Sequence, residues 1–417
     1  MKRMITLELK RVAKTRSTWM LAAGALLLSV IMALLVISFA RHWNLDENGT
    51  EIRLTGRDAI QANQEMLKPF EGELTPEKIH AAFETYHEVY ETYGAKIEDI
   101  PKDVYYQKIS PINAILNSVR EVYVDSSTGI PIPLYEISPE EAANFYEQRT
   151  ERLAGYLSQE YKDSTNAVEQ SLTINEKVKA PFYYVYGVGD SDTSEYLTMC
   201  IFLLVMLCTV IAAPIFSADY QSGADDILRC TKHGRRRLAV VKLLSAILLT
   251  TTIFAACVSA FILISYAAFG WESLKATLQL AFSSISFVPL TIGEANTLVV
   301  FSGLLTFLAT VCFTLFLSTK FKNPITVLGL ALGGCLLPTI LSFAGSGTNI
   351  ENWIRLCLPS GGVGLRNSFF FELTEFNFLP LGSISIWTPY IILVAAGIEI
   401  VLFFMLAMRS YSRHEAN

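Results

Sequence analysis

Residues 219 to 237 form the segment whose residue types and spacing best suit contact with another protein. Acidic residues stand at its amino end, two apolar residues follow, and arginines close it. The residues that we predict to act here are Asp219, Gly223, Asp225, Asp226, Ile227, Leu228, Arg229, Arg235 and Arg236. Acids before bases favour a short helix, because they complement the helix dipole, and exposed apolar side chains on such a helix indicate a partner. The segment therefore predicts a docking helix; the alternative is that its basic residues only fix membrane topology.

Glu399 is the one ionisable residue inside an otherwise apolar stretch that runs from Trp387 to Met408. At about 1.5 Å of rise per residue it lies near the middle of such a helix. A charge at that depth costs about 2.5 to 3.5 kcal/mol on insertion scales, so we expect Glu399 to face other helices. It is a candidate intramembrane functional residue, with structural hydrogen bonding as the alternative to a part in transport or gating.

The sequence carries no motif typical of a catalytic or metal site. It has no G-x-x-x-x-G-K-[ST] loop for nucleotide phosphates, no H-E-x-x-H pair and no G-x-S-x-G elbow. His80 and His87 are better explained as a solvated helix face than as metal ligands. We therefore expect no catalytic residue, no metal and no cofactor bound by this chain.

The elements that position these residues are apolar helices. The chain is 52% hydrophobic and only 17% charged, which favours a bilayer as its solvent. A helix needs about 20 mostly apolar residues to cross the hydrocarbon core. Stretches of that kind predict transmembrane helices at 17–40, 196–218, 243–271, 295–319, 323–350 and 387–408.

Basic residues near the ends of these helices predict the orientation, because Lys and Arg resist translocation. They concentrate in a lead-in helix at 1–16, a coupling loop at 219–242, a short loop at 320–322 and a tail at 409–417. We expect these segments, and both termini, in the cytoplasm. The basic clusters stand where topology requires them, so nucleic acid is not a predicted partner.

Residues 41–195 are expected to form a mainly helical extracellular domain, and 272–294 and 351–386 to form outer connections, the second re-entrant. The domain carries 28 acidic and 14 basic residues, which gives it a net charge of −14. Thr75 before Pro76, and Ser138 with Glu141 around Pro139, predict the starts of two helices in the domain. The predicted fold class is thus an all-α membrane protein with six transmembrane helices.

The segment at 219–242 resembles the coupling loop of the ABC-2 type family of ABC transporter permeases, in the branch with a large extracellular domain between the first two spans. The matching residues, in order and spacing, are Asp219, Gly223, Leu228, Thr231, Arg235, Arg236 and Lys242. The sequence departs from the family where Asp219 replaces the usual Glu, Lys232 a frequent Pro and Gly234 a common Ser.

That resemblance implies a permease subunit of a bacterial exporter in the plasma membrane, moving a hydrophobic, peptide-like or ionic substrate outward. It implies a separate ABC ATPase subunit that binds ATP and Mg, and a second permease copy or paralogue. One rival hypothesis is a non-transporting complex that senses or does mechanical work through the extracellular domain. Another is a membrane enzyme acting on lipids or glycans, which the lack of paired intramembrane acids or histidines disfavours.

Overall fold

The structure is a computed structural model that describes residues 2–46, 48–94, 97–125, 129–162, 164–231, 234–364 and 368–413. Lys232, one of the departures from the ABC-2 pattern, lies outside the described residues. The described chain is mainly helical, and six of its helices are long and apolar enough to cross a membrane. This confirms the six apolar helices of the predicted fold class, to which the structure adds three two-stranded sheets.

The chain begins with two helices, α1 (Lys2–Ala13) and α2 (Arg16–Phe39). A short turn separates the basic helix α1 from the apolar helix α2. Residues 41–192 then form a mainly helical domain. Its elements are β1 (Arg41–Leu45), β2 (Glu51–Thr55), α3 (Gly56–Leu67), β3 (Gly72–Glu73), α4 (Pro76–Tyr93), α5 (Lys102–Val104), α6 (Asn113–Arg120), α7 (Pro139–Ala143), α8 (Phe145–Glu160), α9 (Thr165–Asn175) and β4 (Tyr183–Tyr184).

Both helix starts predicted inside this domain are confirmed. The Thr75 side chain accepts a hydrogen bond from the Lys78 N–H at the start of α4. Ser138 and Glu141 form a reciprocal capping box at the start of α7. The helix expected after Ser138 is divided, however, because α7 ends at Ala143 and α8 begins at Phe145.

The domain contains two antiparallel strand pairs, of which the second joins distant parts of the chain. Strand β1 pairs with β2, and β3 pairs with β4. The domain core lies between α4, α6 and α8, where Ile79, Phe83, Phe145 and Phe182 are fully buried.

The rest of the chain supplies five more long apolar segments and their connections. These elements are α10 (Thr193–Ala212), α11 (Pro214–Ser222), α12 (Ala224–Arg229), α13 (Arg236–Phe269), α14 (Leu278–Ala281), α15 (Ile292–Lys320), α16 (Pro324–Ala344), α17 (Asn349–Leu356), α18 (Phe369–Thr374), β5 (Phe378–Leu381), β6 (Ile384–Trp387) and α19 (Thr388–Arg413). Strands β5 and β6 form an antiparallel hairpin.

Helix ends differ from the hydropathy boundaries where local signals intervene. The predicted loop at 219–242 is shorter than expected, because α11 reaches Ser222 and α13 begins at Arg236. Helix α16 ends at Ala344 rather than at residue 350. Hydropathy locates the apolar stretches between charged residues. The ends of helices depend instead on caps and turns, which can contain apolar or charged residues.

The long helices pack as a bundle in which α10 and α15 are the most buried. Large apolar side chains remain exposed on α2, α16 and α19. Residues 359–364 are buried beside α15 and α16, where the Thr310 hydroxyl donates to the Pro359 carbonyl over 2.9 Å. Position 362 requires glycine, because a Cβ there would stand 2.5 Å from the Thr306 hydroxyl.

Below, the domain end denotes the end of the bundle that carries residues 41–192. The basic end denotes the opposite end, which carries α1, α12 and the last turns of α15 and α19.

Candidate functional site at the basic end

The site begins at a break between α10 and α11. Pro214 causes this break, because its ring nitrogen has no hydrogen to donate to the helix. Ser318 of α15 supplies polar contacts at this break. Its hydroxyl donates to the Ala213 carbonyl over 2.7 Å and accepts from the N–H groups of Phe216 and Ser217, each over 3.1 Å. A buried contact with α15 therefore fixes the direction of α11, which carries Asp219.

Asp219 is the centre of an ion-pair network that joins three elements. One carboxylate oxygen pairs with the Lys242 ammonium of α13, and the other accepts from Arg11 of α1 over 2.9 Å. Lys242 is 1% exposed and Asp219 is 6% exposed. Arg11 also pairs with Glu8 over 2.6 Å. Although burial opposes it, the charges of Glu8 and Asp219 raise the pKa of Arg11 above its ordinary value.

A second network ties α12 to the last helix. The Asp225 carboxylate pairs with Arg229 one turn later and accepts from the buried Tyr411 hydroxyl of α19 over 2.7 Å. Arg229 in turn donates to the Tyr411 carbonyl over 2.8 Å, and its guanidinium lies 4.4 Å from the centre of the Tyr411 ring. Despite the opposing effect of burial, the Asp225 carboxylate raises the pKa of Arg229.

Tyr411 connects the two networks, because the Lys242 ammonium lies 5.9 Å from the centre of the same ring. Phe216 of α11 adds a second ring, 5.0 Å from Tyr411 and 5.2 Å from that ammonium. The helices α1, α11, α12, α13 and α19 thus meet in one cluster of charged and aromatic side chains.

Gly223 makes the turn between α11 and α12. Its φ is +71°, in the left-handed region that favours glycine, and an added Cβ would meet nothing within 4 Å. The turn therefore requires glycine for its backbone conformation, not for space.

The predicted docking residues divide into an anchored group and an exposed group. Asp219, Asp225 and Arg229 are anchored in the networks, and Leu228 packs against the bundle core. Ile227 is 74% exposed, and Asp226, Arg235 and Arg236 are exposed beside it in the chain. The short helix α12 therefore has a buried polar side and an exposed side centred on an apolar residue.

Three participants were not among the predicted site residues. Arg11 and Tyr411 lie far from α12 in sequence, and Tyr411 carries no motif of its own. Lys242 stands only 13 positions after Arg229 and was named only as part of the ABC-2 resemblance. A partial signal existed for α1, since Glu8 is the one acid in the basic first 16 residues and stands three positions before Arg11.

Glu399 lies apart from this cluster, within α19. It is 8% exposed, so it faces other parts of the protein, as the sequence predicts. Its Oε2 atom is buried without a hydrogen-bond partner among the described residues.

The cluster can transmit displacement between helices. Separating a buried ion pair costs about 3 to 5 kcal/mol, because it leaves a charge without compensation. The pair of this kind between helices is Asp219–Lys242, which holds α11 to α13. The hydrogen bonds of Tyr411 hold α12 to α19. No group of three or more His, Cys, Asp or Glu side chains among the described residues could hold a metal ion.

No protein-family model matches this sequence, and no curated protein matches it. The resemblance to the ABC-2 type permeases therefore depends on the residues quoted for it at 219–242.

Proposed function

We propose that this chain is the membrane-spanning permease subunit of a bacterial exporter that is driven by ATP hydrolysed on a separate subunit. In this proposal the basic end faces the cytoplasm and residues 41–192 face outward. The partner ATPase docks on α12, and a second copy or paralogue of the permease completes the complex. The substrate is hydrophobic, peptide-like or ionic, and it moves outward.

The observation that carries this proposal is the construction of α12. Ile227 is 74% exposed on a helix of only six residues, and a docking partner would cover this apolar side chain. The buried side of the same helix is held to α19, because Asp225 accepts from the Tyr411 hydroxyl and Arg229 donates to the Tyr411 carbonyl. Such an element is suited to carry motion from a docked subunit into the bundle.

The test uses the full chain, tagged and purified in mild detergent from membranes of its own host. We expect ATP hydrolysis to co-purify with the wild type and with Ile227→Leu, and to be lost with Ile227→Asp. Leu228→Asp should instead lower the yield of folded protein, because Leu228 packs against the core. ATP hydrolysis that co-purifies equally with Ile227→Asp would contradict docking on α12.

A second candidate function, mechanical signalling through the domain, is supported by how the domain is attached. The Tyr161 hydroxyl donates to the Phe376 carbonyl, and the Ser164 and Ser385 hydroxyls lie 2.7 Å apart. These contacts fasten α8 and α9 to the connection before α19, so bundle motion would reach the domain directly. Such a complex would hydrolyse ATP in sealed vesicles and move its domain without accumulating any cargo.

A further inference from the structure

A pocket of about 440 Å³ opens at the basic end between the last turns of α15 and α19. It is lined by three cationic side chains, two hydroxyls and two apolar side chains. These residues are Phe316, Thr319, Lys320, Leu406, Arg409, Ser410 and Arg413. None of its three cations belongs to the two networks around Asp219 and Asp225.

The three cations of the pocket have no acidic partner among the described residues. Lys320, Arg409 and Arg413 form none of the ion pairs found in the described chain. The Lys320 ammonium lies 6.0 Å from the centre of the Phe316 ring, which is a weak substitute for an anion. Basic residues often stabilise helix carboxyl ends, but here three of them converge on one concave space.

The wall of the pocket continues into an apolar surface along α19. Leu402, Met405 and Leu406 precede Arg409 by seven, four and three positions, and these spacings place them on one side of the helix. Leu402 is 47% exposed and Met405 is 51% exposed. An occupant would therefore meet positive charge at one end and an uninterrupted apolar face at the other.

We propose that this pocket binds the phosphate headgroup of an anionic phospholipid, whose acyl chains lie along the exposed face of α19. Arginine is suited to the task, because its planar guanidinium donates two parallel hydrogen bonds to phosphate. Basic pockets between membrane helices at the bilayer surface are suited to such headgroups. The site is separate from the proposed docking helix, and the proposal holds for either orientation of the bundle.

The test is a lipid titration of the purified full chain in detergent, followed by native mass spectrometry. We expect phosphatidylglycerol to bind at least tenfold more tightly than phosphatidylcholine with the same acyl chains. Arg409→Gln with Arg413→Gln should weaken phosphatidylglycerol binding at least tenfold. Arg409→Lys with Arg413→Lys keeps the charges and should retain most of the binding, which separates loss of charge from loss of fold.

The matched control is Arg235→Gln with Arg236→Gln, which removes two exposed arginines from the same end of the bundle but outside the pocket. It should change phosphatidylglycerol binding by less than about twofold. An equal loss in both double variants would replace the site by a diffuse basic surface and overturn the proposal. Displacement of the lipid by millimolar inorganic phosphate would assign the pocket to free phosphate and also overturn it.

Discussion

At the scale of single residues, the Asp219–Lys242 ion pair at the basic end carries a large desolvation cost. Both side chains are almost fully buried, so neither charge is compensated by water. Because Arg11 also pairs with Asp219, the two residues differ in how much each depends on the other. Asp219 keeps a second cation when Lys242 is removed. Lys242 loses the one carboxylate with which it pairs in the described chain when Asp219 is removed.

That inequality predicts a non-additive pair of substitutions. Asp219→Asn should lower the free energy of unfolding by about 3 kcal/mol or more, because it strands a buried ammonium. Lys242→Met should cost less, and the double variant should cost clearly less than the sum of the two. Thermal and denaturant unfolding of the detergent-solubilised chain measures all three. Strict additivity would show that the two side chains do not interact.

At the scale of elements, α12 is held by a turn at one end and by side chains along its buried side. The turn depends on the positive φ of Gly223, and the helix itself is too short to be stable alone. Its position is therefore a property of its attachments to α11 and α19.

Replacement of Gly223 tests that dependence. Gly223→Ala should destabilise the turn by about 1 to 2 kcal/mol, because a Cβ disfavours the left-handed region. Gly155→Ala is the matched control: it too would meet nothing within 4 Å, but it lies inside helix α8 and should stabilise by about 0.5 to 1 kcal/mol. The readouts are the melting temperature and the rate of tryptic cleavage after Arg229. If Gly223→Ala is as harmless as the control, the turn does not constrain α12.

A different element, the connection between α14 and α15, is held to the domain by Arg149 of α8. The buried guanidinium donates to the carbonyls of Ser284 and Ser286 over 2.6 and 2.5 Å and to Asn175 over 2.9 Å. Burial lowers the pKa of Arg149 to about 10. Because Arg149 is held by backbone carbonyls rather than by a carboxylate, it fixes the backbone of this connection.

Arg149→Lys should release this connection, because one ammonium cannot reproduce three hydrogen bonds that point in different directions. We expect chymotryptic cleavage after Phe282 to become at least tenfold faster. Arg152→Lys, on the same helix, is the control and should leave the rate unchanged, since the Nε of Arg152 has no hydrogen-bond partner in the described chain. Equal cleavage rates in the two variants would mean that other contacts hold the connection.

At the scale of the whole molecule, the domain and the α12 cluster lie at opposite ends of the bundle. The proposed function requires that these ends face opposite sides of the membrane, with α12 in the cytoplasm. Two of the seven cysteines are exposed, Cys230 beside α12 and Cys357 after α17, and the other five are buried.

Thiol labelling tests the orientation. In a Cys357→Ser background, an impermeant maleimide should leave Cys230 unlabelled in intact cells and label it after permeabilisation. A cysteine introduced by Ser158→Cys on the exposed surface of α8 should react in intact cells. Labelling of Cys230 from outside would reverse the bundle and remove the proposed ATPase site from the cytoplasm.

The sequence by itself determined the six apolar helices, the capped starts of α4 and α7, and a short helix near residues 224–229. Those features depend on hydropathy and on residues a few positions apart, so they can be read along the chain. Only the tertiary structure decided that Asp219 meets Arg11, 208 positions away, or that Tyr411 joins Asp225 to the last helix. Such contacts depend on how the helices pack and turn about their axes, and a stretch that is apolar on every side carries no periodic signal for that rotation.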